Sequence, residues 1–198
     1  ATVNTPWILV SNDDMVFPPG WFTSLTRFGI SQLCVSPLLV EPRPGAPTFE
    51  THFCGGAGGD FNKDEFYKYA SERHVTGDRK GFNFPVLIFK DLWDLIGGYD
   101  VNYDPWGSNS DSDLEYKIKL AGIQPIQDMQ TAVYHFSQTS GTFEPQNRAA
   151  WERNFKYFEE VWGFTRTDQG IWEADFEIPT REQGRKFSPF WEGFYATK

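Results

Sequence analysis

Two adjacent acids follow a short apolar run near the start of the sequence. In the segment WILVSNDD, four apolar residues are followed by Ser11 and then by Asn12, Asp13 and Asp14. Because such a run is typical of a buried strand, the acids are expected at a strand end. Hard divalent cations prefer carboxylate oxygens, and Mg²⁺ in particular combines one or two carboxylates with phosphate oxygens. The segment therefore predicts a metal–diphosphate site, with an ordinary polar turn as the alternative.

A second group of acids begins a predicted helix. In the segment SDSDLEYKIKLAG, apolar residues at helical spacing predict a helix over about residues 112–121. Ser112 and Glu115 fit a capping box at its start. A carboxylate at a helix edge can reach a substrate hydroxyl, so Asp111 is a candidate general base. The alternative for Asp111 and Asp113 is a purely structural role, since acids stabilise helix N-termini.

A single histidine follows a third apolar stretch. His135 lies in TAVYHF, which predicts a short strand, and IQPIQ predicts another strand before it. An imidazole can ligate a metal or serve as a structural hydrogen-bonding group. His135 alone leaves both roles open.

The remaining pattern alternates strands with helices, which indicates the α/β class. Further strands are predicted at 7–10, 33–40 and 84–89, with Pro37 interrupting the second. Helices are predicted after the PPG turn at residues 18–20, around 65–69, and after the strand at 84–89, where Gly97-Gly98 closes the helix. A long helix is predicted over about 146–162, where one face carries Trp151, Phe155, Phe158 and Trp162. The run CGGAGGD lacks the Lys-Ser/Thr of a phosphate loop and is interpreted as an irregular loop.

Composition narrows the class of protein. The 198 residues suit one domain, and an aromatic content of 18% argues against disorder. The net charge is −9 and no basic stripe is present, so no nucleic-acid partner is expected. No apolar run approaches the ~18 residues of a membrane span. We therefore expect no membrane span and a soluble, cytoplasmic protein.

The order of these motifs resembles the GT-A fold glycosyltransferases, specifically their large family-2-like group. The resemblance covers roughly residues 7–163 and rests on the acids after the first strand, IGGYD, the Trp-Gly pair, SDSDLEYKIKLAG and the strand with His135. It implies a GT-A-like, Rossmann-like mixed sheet flanked by helices over residues 1–163. Residues 164–198 would form a C-terminal extension packed on the same domain.

The resemblance also implies roles for single residues. Asp13, Asp14 and His135 would hold a divalent metal, Mn²⁺ or Mg²⁺, and Asp111 falls on the catalytic acid. The preceding acid of the family's pair is replaced here by Ser110, which leaves the choice of base less constrained. The positions implied to bind substrate are Asn12, Tyr99, Trp106, Gly107 and Asp113, and Tyr103 is a further aromatic candidate for stacking on an acceptor sugar. The alternative for these three aromatic residues is ordinary core packing.

The implied activity is metal-dependent transfer of a sugar from a nucleoside-diphosphate sugar to the hydroxyl of a glycan or other acceptor, with inversion. Family members place their nucleotide-binding strands before the acidic motif, whereas only a short segment precedes Asn12 here. We expect the nucleotide-binding half to be missing from this sequence, to lie in a separate chain, or to be reduced.

Three alternatives belong to other classes. A degenerate glycosyltransferase-like module would bind glycans without catalysis and would ignore nucleoside diphosphates. A metal-dependent phosphohydrolase would need more clustered ligands for two metals. A structural module of a virion or other assembly would use the aromatic C-terminal segment as a contact surface, and would form oligomers without ligand affinity.

Overall fold

The computed structural model describes residues 4–44, 49–137 and 144–162. In this part the protein is α/β and combines a mixed β-sheet with helices. The chain divides into two compact units. The described residues of the sheet unit are 7–44, 49–88 and 125–137, and those of the helical unit are 4–6, 89–124 and 144–162. The extension predicted at 164–198 lies outside the described residues.

The described elements follow the predicted alternation of strands and helices. The strands are β1 (Trp7–Val10), β2 (Met15–Val16), β3 (Cys34–Glu41), β4 (Glu50–Thr51), β5 (Asp78–Lys80), β6 (Val86–Phe89) and β7 (Ile126–His135). The helices are α1 (Trp21–Thr26), α2 (Lys63–Glu72), α3 (Lys90–Ile96), α4 (Ser110–Leu120) and α5 (Arg148–Trp162). Short 3₁₀ turns lie at Gly29–Ser31 and Pro145–Asn147. No helix in the described ranges is long and apolar enough to cross a membrane.

The sheet has the order β1-β6-β3-β7-β2, with β4 paired to β3 and β5 paired to β7. β3 runs parallel to β7 and β4 and antiparallel to β6, and β7 is antiparallel to β2 and β5. Every residue of β3 is buried, as its apolar run predicts. Pro37 does not end this strand. It lies at an irregularity of the β3–β7 ladder, whose register shifts between Pro37 and Leu38, and proline is tolerated at such bulges.

The prediction of two short strands in this part of the sequence is wrong, because the structure has the single strand β7 there. It is one strand with a bulge: Pro37 pairs with Asp128, whereas Leu38 pairs with Ala132. The bulge absorbs the intervening residues, so the hydrophobic pattern breaks although the strand continues.

Asp128 stabilises this bulge from within. Its side chain is fully buried and accepts hydrogen bonds from the backbone N–H groups of Gln130 and Thr131 at 2.9 and 3.2 Å. Arg27, directly after α1, donates to both carboxylate oxygens at 2.7 and 2.6 Å. The geometry is bidentate, which is the strong form of an arginine–carboxylate pair.

Two apolar clusters stabilise the sheet unit. One contains Phe66 of α2 and the other Leu25 of α1, both fully buried. The sheet residues of the two clusters are Val40, Ala132 and Tyr134 in the first and Val35, Leu87 and Ile126 in the second. The predicted helices after the PPG turn and around 65–69 are therefore confirmed, and each contributes a buried side chain to the core.

In the helical unit, the predicted helix that the Gly-Gly pair closes is confirmed as α3. Its C-cap is Gly97, whose φ of 75° is left-handed.

The capping box predicted for the next helix is wrong. α4 begins after Asn109, which makes no side-chain cap, so Ser112 and Glu115 lie inside the helix. Glu115 instead pairs with Lys119 at 2.7 Å, both side chains being buried.

The predicted long helix is confirmed as α5, but its buried face differs from the prediction. Trp151 and Phe155 are only half-buried, and the buried residues are Ala150, Asn154, Phe158 and Trp162. Phe158 and Trp162 pack with Tyr103 and Tyr116 in the aromatic core of this unit. The face is rotated because Asn154 bonds a neighbouring loop, a contact that hydrophobic spacing does not reveal.

Candidate functional site

Strand pairing brings Asp14 next to His135. β2 begins one residue after Asp14 and pairs with β7 so that Met15 lies opposite His135. The N–H of Phe136 then donates to the carbonyl of Asp14 at 3.0 Å. The backbone ladder, rather than side-chain packing, therefore sets the separation of these two side chains.

Glu41 approaches His135 from the other side of β7. Because β3 runs parallel to β7 with Val40 opposite Tyr134, the next residues along both strands are Glu41 and His135. The bulge in β7 determines this register of β3 against β7. Without it, Pro37 opposite Asp128 would place Glu41 opposite Ala132.

The imidazole of His135 lies between the two carboxylates. Nδ1 is 2.7 Å from Oε1 of Glu41, and Nε2 is 3.3 Å from Oδ2 of Asp14. The three side chains are 16%, 5% and 11% exposed for His135, Glu41 and Asp14. Burial disfavours the imidazolium, but hydrogen bonds to Asp14 and Glu41 and the charges of both acids outweigh it and raise the pKa of His135 to about 9.

This geometry fits a divalent cation on Asp14 and His135. The distance of 3.3 Å is long for a charged hydrogen bond. It suits two neighbouring ligands of one cation, since bonds of about 2.1 Å near a right angle put ligand atoms about 3 Å apart. Glu41 would occupy the outer position, where a carboxylate fixes the tautomer and orientation of a ligating histidine.

The number of protein ligands is small. In the described ranges, no group of three or more His, Cys, Asp or Glu side chains is arranged to hold a metal ion. Two protein ligands are compatible with Mg²⁺-type sites, which complete their coordination with substrate phosphates and water. The donor set therefore fits a cation bound together with a phosphorylated ligand.

Asp13 and Asp14 line a cleft of about 340 Å³ in the sheet unit. Asp13 is exposed and Asn12, just after β1, is also exposed. The other lining residues are Gly56, Ala57, Gly59, Phe61 and Phe136. The acids at the end of the first strand thus border a space large enough for a small ligand.

The glycine-rich run forms part of this cleft, although the sequence suggested no role for it. Gly55 has a φ of +103°, and a Cβ there would lie 2.3 Å from the carbonyl oxygen of Asp60. The N–H of Gly56 donates to the Asp60 carboxylate at 2.9 Å. The hydroxyl of Tyr134 donates to the Gly55 carbonyl and accepts from the N–H of Cys54. These bonds hold the loop in a conformation that requires glycine at position 55.

The candidate base lies in the helical unit. Asp111 occupies the first turn of α4, is half-buried, and accepts a hydrogen bond from the N–H of Ser112 at 2.9 Å. The preceding N-cap residue, Asn109, is buried and has a φ of 79°, a left-handed conformation that is uncommon outside glycine. Such backbone outliers concentrate at functional sites.

Tyr99 lies close to this helix start. Burial raises its pKa, and the negative charges of Asp111 and Asp113 add to the effect, although a hydrogen bond with Ser110 opposes it. Tyr99 therefore remains a neutral phenol that can donate a hydrogen bond. Tyr103 is 6% exposed and belongs to the aromatic core, so the prediction that it stacks on an acceptor is wrong.

The Trp-Gly loop, residues 104–108, is anchored by two side chains of α5 and by its own Asp104. Arg153 pairs with the Asp104 carboxylate, which also accepts from the N–H of Trp106 at 3.0 Å. Asn154 accepts from the N–H of Asp104 at 2.8 Å and donates to the carbonyls of Asp104 and Ser108, both at 2.9 Å. A Cβ at Gly107 would lie 2.3 Å from the Asn154 amide nitrogen, so this close approach excludes larger residues. Trp106 remains 52% exposed between these anchors.

Asp113 lies away from solvent at 1% exposure. Its carboxylate pairs with Lys117 at 2.8 Å and accepts from the indole N–H of Trp162 at 3.0 Å. Lys117 also donates to the carbonyl of Gly98 at 3.3 Å. These contacts give Asp113 a structural role in linking α4 to α5.

Two residues of these arrangements were missed in the sequence. Glu41 carried a usable signal, because it is an acid at the end of an apolar run, as Asp13 and Asp14 are acids shortly after one. Asn154 carried no such signal, because a single amide in an amphipathic helix is usually interpreted as a residue that faces solvent.

In comparisons with known proteins, no family model matches the chain and no curated protein matches it.

Proposed function

We propose that this protein is a metal-dependent glycosyltransferase of the GT-A type. It transfers a sugar from a nucleoside-diphosphate sugar to an acceptor hydroxyl with inversion. The observation that carries this proposal is the pair of Asp14 and His135, held 3.3 Å apart at the edge of a cleft, with Glu41 behind the imidazole. A mixed sheet with acids at the end of a strand is compatible with the GT-A class.

The cleft residues have distinct roles in this proposal. Asp14 and His135 bind the cation, and Asp13, on the same cleft, supplies a further carboxylate. When bound, Mn²⁺ or Mg²⁺ supplies positive charge to the diphosphate leaving group. Glu41 keeps the Nε2 atom of His135 turned toward Asp14 by bonding Nδ1.

The residues that the proposal assigns to the acceptor belong to the helical unit. Asp111 accepts the proton of the attacking hydroxyl as general base. Trp106, half exposed on its anchored loop, stacks on the acceptor sugar, and Tyr99 donates a hydrogen bond beside it. A single displacement at the anomeric carbon inverts its configuration.

Mn²⁺ titration tests the metal site directly. We expect the wild-type chain to bind Mn²⁺, measured by the loss of the electron paramagnetic resonance signal of the aqueous ion. Asp14→Ala should weaken binding by about 100-fold, the upper range for disturbed metal sites. Asp91→Ala, an exposed acid of α3, is the matched control and should bind as wild type. Equal binding by the wild type and Asp14→Ala would contradict the metal assignment.

Calorimetry with nucleotides tests the donor assignment. We expect one of UDP, GDP and dTDP to bind only when Mn²⁺ is present, which would also identify the donor class. Mn²⁺ binding without any metal-dependent nucleotide binding would contradict a donor site on this chain. Binding of glycans in that case would favour the glycan-binding module instead.

A further inference from the structure

The cleft at the candidate metal site has walls of different chemistry. Asp13 and Asp14 form an acidic wall, whereas Phe61 and Phe136 contribute aromatic rings. The two rings meet edge to face, with centroids 5.0 Å apart and an interplanar angle of 78°. Both also pack on Tyr134, so the aromatic wall is fixed by the core of the sheet unit.

The third wall is almost free of side chains. It consists of Gly56, Ala57 and Gly59 from the glycine-rich loop. A ligand can therefore approach the backbone of this loop closely. The N–H of Gly56 already donates to the Asp60 carboxylate, so it is not offered to a ligand. The loop keeps this form because Gly55 and Asp60 are in close contact.

The described lining of the cleft contains no basic side chain. Among the described residues that line it, none is Lys, Arg or His. A ligand carboxylate entering here would find no basic side chain in the described lining and would be repelled by Asp13 and Asp14, while the cation proposed on Asp14 is neutralised by the diphosphate.

We propose that this cleft binds the sugar ring of the donor and selects an uncharged pyranose over a uronic or other acidic sugar, an inference that rests on the proposed function. The aromatic wall suits the apolar face of a sugar ring, and the carboxylates suit its hydroxyls. The volume of about 340 Å³ lies at the small end of ligand pockets, which span about 300–1,000 Å³. A single ring fits this size better than an extended glycan.

Sugar phosphates test the inference without requiring a nucleotide site. The chain is loaded with Mn²⁺ and titrated with inorganic phosphate, glucose 1-phosphate and glucuronic acid 1-phosphate. Calorimetry gives the affinities, and relaxation of the sugar protons by Mn²⁺ reports whether the ring lies near the metal. We expect glucose 1-phosphate to bind about tenfold more tightly than phosphate and than glucuronic acid 1-phosphate.

A pair of glycine variants locates the sugar. A Cβ at Gly56 makes only ordinary contact, 3.6 Å from the Asp60 carboxylate, and Gly58 has nothing within 4 Å; neither has a left-handed φ. Gly56 lines the cleft and Gly58 is not among its lining residues. Gly56→Leu should reduce the affinity for glucose 1-phosphate to that for phosphate, and Gly58→Leu should leave it unchanged. Circular dichroism checks that both variants fold.

The outcomes separate this inference from the proposed function. If Mn²⁺ and phosphate bind but glucose 1-phosphate binds no more tightly than phosphate, the sugar site is wrong while the metal site stands. Equal affinity for the two sugar phosphates would overturn the selection for an uncharged sugar. If Mn²⁺ does not bind, the proposed function fails and the inference fails with it.

Discussion

The candidate metal site, which includes Glu41 behind His135, and the Trp-Gly loop around Trp106 are held in different ways. Asp14, Glu41 and His135 lie on or beside paired strands, and the ladder of the sheet determines their spacing. The Trp-Gly loop has no such ladder. Its conformation depends on a few side-chain bonds, and the amide of Asn154 makes three of them to the loop backbone.

This difference predicts different sensitivities. A ladder distributes its restraint over many backbone bonds, so the ligand positions should tolerate most surface substitutions. A loop held by a few side-chain bonds should respond locally to the loss of Asn154, which makes three of them. The sheet has one vulnerable point of its own, the bulge at Asp128, because the register of Glu41 against His135 depends on it.

The largest effect on stability is expected from Asp128→Ala. The substitution leaves the Arg27 guanidinium without its bidentate partner and removes the acceptor of two bulge amides. We expect the free energy of unfolding to fall by about 3 kcal/mol, measured by urea denaturation. Mn²⁺ affinity should fall too, because the register shifts. A loss below about 1 kcal/mol, as for the surface control Asp91→Ala, would show that the bulge does not depend on Asp128.

A smaller, local effect is expected from Asn154→Ala. The loop loses three hydrogen bonds, and the free energy of unfolding should fall by about 2 kcal/mol. Hydrogen exchange of the loop amides at Asp104 and Gly107 should accelerate, whereas Mn²⁺ affinity should not change. Lys156→Ala, an exposed residue of the same helix, is the control. Unchanged exchange at Gly107 would contradict the anchoring role of Asn154.

Glu41→Gln should separate orientation of the imidazole from fold stability. Glutamine keeps the size of the side chain and an acceptor oxygen but removes the charge behind His135. We expect Mn²⁺ affinity to fall by about tenfold with little change in the free energy of unfolding. Glu65→Gln, an exposed acid of α2, is the control. Wild-type affinity in Glu41→Gln would remove Glu41 from the metal site.

The smallest effect should appear in the pH dependence of stability. Burial opposes ionisation of Asp128, but hydrogen bonds from Arg27 and Thr131 outweigh it and hold its pKa below the usual range. A depressed folded pKa contributes stability that is present above the unfolded pKa, about 3.9, and is lost as the pH falls below it. Wild-type stability should therefore fall more steeply between pH 5 and about pH 3 than that of Asp128→Asn. Parallel profiles would contradict this contribution.

Much of the local structure followed from local patterns. The apolar runs predicted β1, β3 and β6, and the Gly-Gly pair predicted the end of α3, because these signals lie within a few neighbouring residues. The predicted split of β7 failed because a bulge and two broken strands have the same hydrophobic pattern. The predicted face of α5 failed because its rotation depends on a hydrogen bond to a distant loop.

By itself, the sequence determined the α/β class and the presence of acids after a buried strand, since both depend on residue types and periodicity along short segments. Only the tertiary structure decided that Glu41 lies behind His135 and that the glycine-rich loop lines the cleft with Asp13 and Asp14. These contacts join residues far apart in the chain. They depend on strand order and register, and a three-residue bulge is enough to change which side chains meet.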